Sequence, residues 1–340
     1  MFQKLGKVRS KSTVVMHDFF IDRIVRLNDF TPLISEINAK AGVGGGSIRD
    51  IEQYDIKGGN AVNIAYALAK LGAKISLITV ADNLGKTILQ RTFSSLTNKK
   101  LFINDGKQGY TISFELERNG RKANVMVSDV GDAGNFGAGK LRRNELNAIK
   151  HASAVAIANW ASNSKGTELA LKAFKNANKN ALCFLDPADI SNRKDEFMQC
   201  LETLSGNIDV LSVNENECRS IMEAMHLQPL PLNYSNDDII AAAKILSSKL
   251  SIGVDVHTPI GSASSNGKET VFARSFDVNV AITTGAGDVW DAADIAGYLC
   301  NLTPNERLIF ANACAAYYIS KIEVPTLNQT AEFLKSRGAR

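Results

Sequence analysis

The sequence predicts an α/β protein whose body is a doubly wound parallel sheet with helices on both faces, carrying a small inserted β-sheet. Three observations predict it. Short apolar, β-branched runs alternate with longer segments of helical period, which is the pattern of parallel β-α-β units. The chain has 340 residues and 45% hydrophobic content, enough to bury the core of such a sheet. One stretch, 109–129, departs from that rhythm and alternates apolar and polar residues at period 2.

Taken in order, STVVM (12–16), KISLITV (74–80), SAVAIAN (153–159), ALCFLD (181–186), DVLSVN (209–214) and IGVDVHT (252–258) read as buried strands. Between them NAVNIAYALAKLG, KGTELALKAFKNA, ENECRSIMEAMH and NDDIIAAAKILSSKL carry helical period, the first stopped by Gly72. In 109–129 the alternation is centred on Asn119-Gly120, a strong short-range hairpin signal. Residues 44–59 are also strand-like and run into Gly58-Gly59. Together the two pieces predict a lid, inserted in a single α/β domain spanning 1–340, with an edge decoration as the alternative. An exposed apolar face on those strands could pair two subunits as a homodimer, which periodicity does not decide.

Composition excludes several classes. The net charge is +4 from 39 basic and 35 acidic residues, with no long basic run, so neither nucleic acid nor an anionic membrane is an expected partner. The five cysteines are scattered and form no C-x-x-C pair, and the four histidines form no ligand cluster. Reduced thiols and the absence of a zinc site are the expectation, and with no signal peptide or apolar span evident the expected location is the cytoplasm.

Three stretches could carry chemistry. In TTGAGDVWD a helical period begins after Asp288, so Gly285, Ala286 and Gly287 fall at a helix N-terminus, where unpaired amides and the positive dipole end favour an anion such as a phosphate. Asp288 could then take a hydroxyl proton, or it could merely favour the dipole while the glycines turn the chain. In VNENE, Asn214 and Glu217 lie three residues apart at a helix start, a spacing that suits either a Mg²⁺ site working through water or an ordinary capping box. In KGGNAVN, Gly58-Gly59 permits a bend or close approach. Asn60 and Asn63 follow at one-turn spacing, able to bond a polyol or simply to cap a helix.

Two near matches fail. Gly85-Lys86-Thr87 ends like a P-loop, but Val80 stands where its first glycine is required. GVGGGS has Ser47 in place of the last glycine of a dinucleotide fingerprint, and no helix follows.

Together, in this order, the three stretches resemble the PfkB family of carbohydrate kinases, whose fold is called ribokinase-like. GGNAVNIAYALAKLG is similar to the family's N-terminal signature, VNENE to its N-x-x-E magnesium motif and TTGAGD to its C-terminal signature, and the likeness spans about Met16 to Thr326. The resemblance implies an ATP-dependent kinase using ATP and Mg²⁺ on a small polyol, most simply a sugar. It makes Asp288 the general base and the amides of Gly285, Ala286 and Gly287 the anion hole. Asn214 and Glu217 would organise Mg·ATP, while Asp22, Gly59 and Asn63 would bind substrate. Thr258 and Gly261, in DVHTPIGSA, would contact nucleotide, and Asn312 would lie near the adenine. The family's acid six residues before the base is Ile282 here, so K⁺ activation is not expected. Phe20 and the HTPIG segment depart from the usual pattern and argue against ribose itself. A nucleoside kinase of the same fold is the alternative if Phe20 and Trp160 stack on a base; a non-catalytic, ligand-sensing relative is a second, made conceivable by Ile282.

Overall fold

The computed structural model describes residues 1–118 and 121–338; the expected Asn119-Gly120 turn lies outside the described residues. In chain order the strands are β1 (Ser12–His17), β2 (Phe20–Arg26), β3 (Gln53–Gly58), β4 (Lys74–Ala81), β5 (Lys99–Asp105), β6 (Gly109–Arg118), β7 (Arg121–Asp129), β8 (Ala154–Ala158), β9 (Leu182–Asp186), β10 (Val210–Asn214), β11 (Gly253–Thr258), β12 (Gly261–Ser265) and β13 (Thr270–Arg274). Nine of them form one sheet in the order β13-β12-β11-β10-β9-β8-β1-β4-β5. From β11 to β5 every pairing is parallel.

The parallel strands read as apolar runs because both of their faces are covered. Val15 and Met16, consecutive in β1, enter different cores. Val15 packs with Ile64 and Leu68 of helix Asn60–Lys70, Ile295 of helix Ala286–Leu299 and Phe310 of helix Pro304–Lys321. Met16 joins Leu169, Phe197, Ile221 and Leu246 from helices Gly166–Asn176, Lys194–Leu204, Glu215–Ala224 and Asn236–Leu250. All five cysteines are buried and unpaired.

Two antiparallel strands, β12 and β13, extend the sheet where only parallel units were expected. Thr258 pairs with Gly261, and two intervening residues can form a hairpin but not a crossover. The β12 run, GSASS, has no β-branched residue, yet all five of its residues are buried. Nothing in its composition distinguishes it from a loop.

The second sheet has the order β3-β2-β6-β7. Within the strand-like 44–59, only Gln53–Gly58 is strand, and residues 44–52 form no helix or strand. The centre of the sheet is β2, which the sequence reading did not assign. It pairs antiparallel with β3 and parallel with β6, so the sheet is mixed. β2 begins three residues after β1 ends. A pattern reading cannot show that one apolar run divides between two sheets.

Asp18, in that short link, ties the parts together. Its carboxylate accepts from the Asn60 and Ala61 amides at 2.9 and 2.8 Å, where helix Asn60–Lys70 begins, and from Asn159 Nδ2 at 2.9 Å, just after β8. From β1 the chain builds β4 and β5 on one side and then β8 onward on the other. Asp18 and Asn159 therefore mark the topological switch point, outside the carboxyl ends of the strands, where such sheets bind ligands.

Gly58 lets β3 lie close to a side chain of β2 within the small sheet, and Gly59 lets the chain leaving that sheet pass close to the Asp18–Phe20 segment. A Cβ on Gly58 would lie 2.0 Å from Asp22 Oδ2. Gly59 has φ +94°, and its Cβ would lie 2.9 Å from the Phe19 Cα. Gly59→Ala should therefore lower unfolding free energy by about 1–3 kcal/mol through backbone strain. Urea denaturation checks this, and an unchanged midpoint would show that the Asp18–Phe20 segment gives way without cost.

Candidate active site

Asp288 lies in the first turn of helix Ala286–Leu299 and is 7% exposed. Gly285 precedes it at φ +82°, where a Cβ would meet the Tyr318 hydroxyl at 3.0 Å, so glycine suits both the angle and the space. Among the described residues, the amides of Gly285 and Gly287 have no hydrogen-bond partner within the chain. The amide of Ala286 differs from expectation: it donates to the Thr283 carbonyl at 3.2 Å, which closes the turn. Of the three amides expected to bind an anion, those of Gly285 and Gly287 thus stay unpaired in this conformation. The wall beside them is His257, whose Cε1 would lie 3.2 Å from a Cβ on Gly287 and whose ring stacks on Trp290 at 4.9 Å. Burial pushes His257 down to about 4, so the wall is neutral.

The Asp288 carboxyl accepts from Asn63 Nδ2 at 2.8 Å, and Asn63 Oδ1 accepts from the Lys57 ammonium. Burial first, then the nearby Asp186, pushes Asp288 up to about 8, against the lowering effects of Asn63 and Lys57. Lys57 is lowered to about 8 by burial, opposed by Asp288 and Asp22. The sequence reading missed Lys57 because one lysine in a strand-like run carries no local signal. It also missed Asp186 and Asp291. Asp186, at the end of β9, bonds the Ala188 amide at 2.9 Å and the Asn60 amide group at 3.3 Å, and burial raises it to about 6. Asp291, one turn beyond Asp288, accepts from Ser212 Oγ at 2.5 Å and is raised well above the carboxylate range by burial and Asp186.

Asp22 faces this cluster from the small sheet, paired with Thr111 in register; burial raises it to about 6, opposed by a hydrogen bond from Thr111. Gly59, grouped with the substrate residues from the sequence, lies where a Cβ would meet the Asp18–Phe20 backbone.

Asn214 and Glu217 form a complete capping box at the end of β10. Asn214 Oδ1 accepts from the Asn216 and Glu217 amides, while Glu217 Oε2 accepts from the Asn214 amide at 2.9 Å and Oε1 from Asn214 Nδ2 at 2.7 Å. The cap fixes the Glu217 carboxyl, and burial with Asp186 raises it well above its usual range. Thr258 and Gly261 close the β11-β12 turn: Thr258 Oγ1 donates to the Gly261 carbonyl at 2.7 Å, and a Cβ on Gly261 would lie 2.4 Å from the Phe272 ring. Asn312 is committed in full. Its Oδ1 accepts from Ser262 Oγ and Trp290 Nε1, and its Nδ2 donates to the Ala273 and Arg274 carbonyls. These bonds tie helix Pro304–Lys321 to β12 and β13.

The two aromatic residues whose stacking on a base would favour the nucleoside alternative are both enclosed by protein. Phe20 is 5% exposed and lies over Gly109, where a Cβ would sit 2.3 Å from its ring. Trp160 is 1% exposed, with Arg193 4.3 Å from its ring centroid and Phe197 at 5.0 Å.

The fold and the cluster at its switch point define a doubly wound α/β enzyme with acids beside an anion cradle, the arrangement of a phosphoryl-transferring kinase. Residues 49–331 match the pfkB family carbohydrate kinase description, and the chain belongs to that family of ATP-dependent phosphotransferases. It is 25% identical to a ribokinase from Haemophilus influenzae over 84% of this chain and 89% of that protein. It is 33% identical to an ATP-dependent ribose-1-phosphate kinase from Halopiger xanaduensis over 38% of this chain and 40% of that protein. Among solved structures, a ribokinase from Cryptococcus neoformans var. grubii in complex with ADP superposes with a TM-score of 0.74 at 18% identity, covering 95% of this chain and 98% of that one. Among the described residues no helix is long and apolar enough to cross a membrane.

The raised acids make stability depend on pH. Asp288, Glu217 and Asp291 keep protons to higher pH in the folded protein than in the unfolded chain. Between about pH 6.5 and 8 the folded state therefore binds more protons, and stability falls as pH rises. The lowered His17 and His257 act in the opposite sense below that window, and the lowered Lys57 above it. In the presence of a chelator the urea midpoint should be lower at pH 8 than at 6.5. A midpoint that holds or rises would mean these acids are compensated by groups other than those named.

Proposed function

We propose that this chain transfers the γ-phosphoryl group of ATP to a hydroxyl of a small sugar or sugar derivative, with Asp288 as the base. The observation that carries the reading is Asp288 itself: a buried carboxyl beside two unpaired amides, raised to about 8 and so matched to taking a hydroxyl proton near neutral pH. Gly285 and Gly287 would bind the transferred phosphoryl oxygens through their amides. Asp22 and Asn63 would hold the sugar hydroxyls, as acceptor and as donor or acceptor. Thr258, Gly261 and His257 would shape the nucleotide side.

The donor set at Asn214 and Glu217 fits Mg²⁺ bound through water. Each Glu217 oxygen makes one cap bond and keeps accepting capacity, and its buried acid would be relieved by a dication. When bound, Mg²⁺ supplies charge neutralisation at the β- and γ-phosphates. The small sheet would act as a lid that excludes water, its strand β7 reaching the phosphate loop through Asn124 Nδ2 to Thr284 Oγ1 at 2.6 Å. A sugar is favoured over a nucleoside because Phe20 and Trp160 are enclosed by protein.

ATP consumption measured over sugars, keto-sugar acids, inositols and nucleosides tests the substrate class; a nucleoside as the best acceptor would overturn it. With the best acceptor, Asp288→Asn should lower kcat by roughly 10²- to 10⁴-fold with little change in nucleotide affinity. Turnover within threefold of wild type would remove Asp288 from the role. Ile282 offers no side-chain oxygen ligand in the loop before Asp288, so activity should respond weakly to K⁺ at constant ionic strength. A tenfold preference for K⁺ over Na⁺ would show that other oxygens complete a cation site.

A further inference from the structure

Lys57, near the end of β3, is placed as no sequence motif required. Its side chain is partly exposed, while its ammonium is enclosed between the small sheet and helix Asn60–Lys70. That ammonium donates to Asn63 Oδ1 and lies 5.1 Å from the Tyr66 ring centroid. The other end of the same amide, Asn63 Nδ2, donates to Asp288 Oδ2 at 2.8 Å. This fixes the amide in one direction. Reversed, it would present its NH₂ group to an ammonium and its oxygen to a carboxylate, and both contacts would repel.

The groups that face Asp288 from its other neighbours carry no positive charge. Asp186 comes from β9, Asp18 from the link after β1 and Asp291 from the same helix. Tyr318, on helix Pro304–Lys321, is raised to about 12 by burial and Asp288, and its hydroxyl is spent on the Thr284 carbonyl at 2.9 Å. Lys57 itself faces Asp288 and Asp22. Among the described residues it is the cation set against this group of acids.

We propose that Lys57 is a positioning residue for phosphoryl transfer: through Asn63 it orients the Asp288 carboxyl, and its charge favours the ionised form that takes the hydroxyl proton. The proposal rests on Asp288 acting as the base. In the step it serves, the substrate oxygen bonds to the γ-phosphorus as the bond from that phosphorus to the β,γ-bridging oxygen breaks. ADP leaves with the electron pair, the hydroxyl proton passes to Asp288, and Lys57 stays protonated throughout. With Lys57 replaced by an apolar residue of similar length, Asp288 would face only acids, and the amide would lose the contact that selects its direction.

The test reads Asp288 directly. Full-length protein carrying ¹³C at the aspartate carboxyls is titrated by NMR without nucleotide or metal, with Asp288 assigned by the resonance lost in Asp288→Asn. In Lys57→Met its midpoint should rise by about one unit or more, and Lys57→Arg should bring it back at least half way. Using the sugar identified by ATP consumption, kcat/KM of Lys57→Met at pH 7 should fall about tenfold and recover as pH is raised, with KM for ATP unchanged. Should Lys57→Met fail to fold, Lys57→Gln carries the same comparison. An unshifted Asp288 midpoint overturns the proposal whatever the enzyme phosphorylates, because that measurement uses no substrate. A shifted midpoint with activity lost equally at every pH overturns Lys57's part in the reaction. A wild-type protein that phosphorylates nothing overturns the kinase reading alone, and the titration still decides the link between Lys57 and Asp288.

Discussion

Carboxyl groups crowd the carboxyl ends of the central strands: Asp186, Glu217, Asp288 and Asp291 are each less than a tenth exposed, and burial first, then neighbouring carboxyls, raises each of them. Water would normally solvate such charges, and its exclusion is costly unless dipoles or cations replace it. Much of the surrounding architecture answers that constraint. Asp288 and Glu217 sit in first helical turns, where the dipole favours negative charge. Asp291 takes the Ser212 hydroxyl, Asp186 takes the Ala188 amide, and Lys57 reaches over from the second sheet.

The same constraint gives the small sheet a mechanical role. Through Lys57 it holds one side of Asp288, and through Asn124 it holds Thr284, in the loop just before the anion cradle. Tyr318 holds that loop from the opposite side. The cradle is therefore fixed by elements from three distant parts of the chain. Gly58 and Gly59 matter because they leave room at the end of β3: a side chain at Gly58 would collide with Asp22 of the neighbouring strand, and one at Gly59 with the Asp18–Phe20 backbone.

What the aromatic and amide residues do illustrates how a motif position differs from a function. Trp160 and Phe20 pack inside the protein, each enclosed by neighbouring side chains. Asn312 has a position that suggested nucleotide, yet all of its bonds secure two strands to a helix.

By itself the sequence determined the body of the fold and the contiguous motifs. Strands covered on both faces must be continuously apolar, and helix starts such as Asn214–Glu217 and Gly285–Asp288 place their chemistry within one turn of chain, so both leave local signals. Only the tertiary structure decided the rest, because it depends on which distant backbones come close. β2 looks like part of the β1 run until a two-residue link carries it into another sheet, and β12 is a strand through pairing and burial alone. Lys57, Asp186 and Asp291 are unremarkable letters in sequence. They acquire altered charge because strands and helices from separate regions enclose them together, and desolvation is a property of the enclosure.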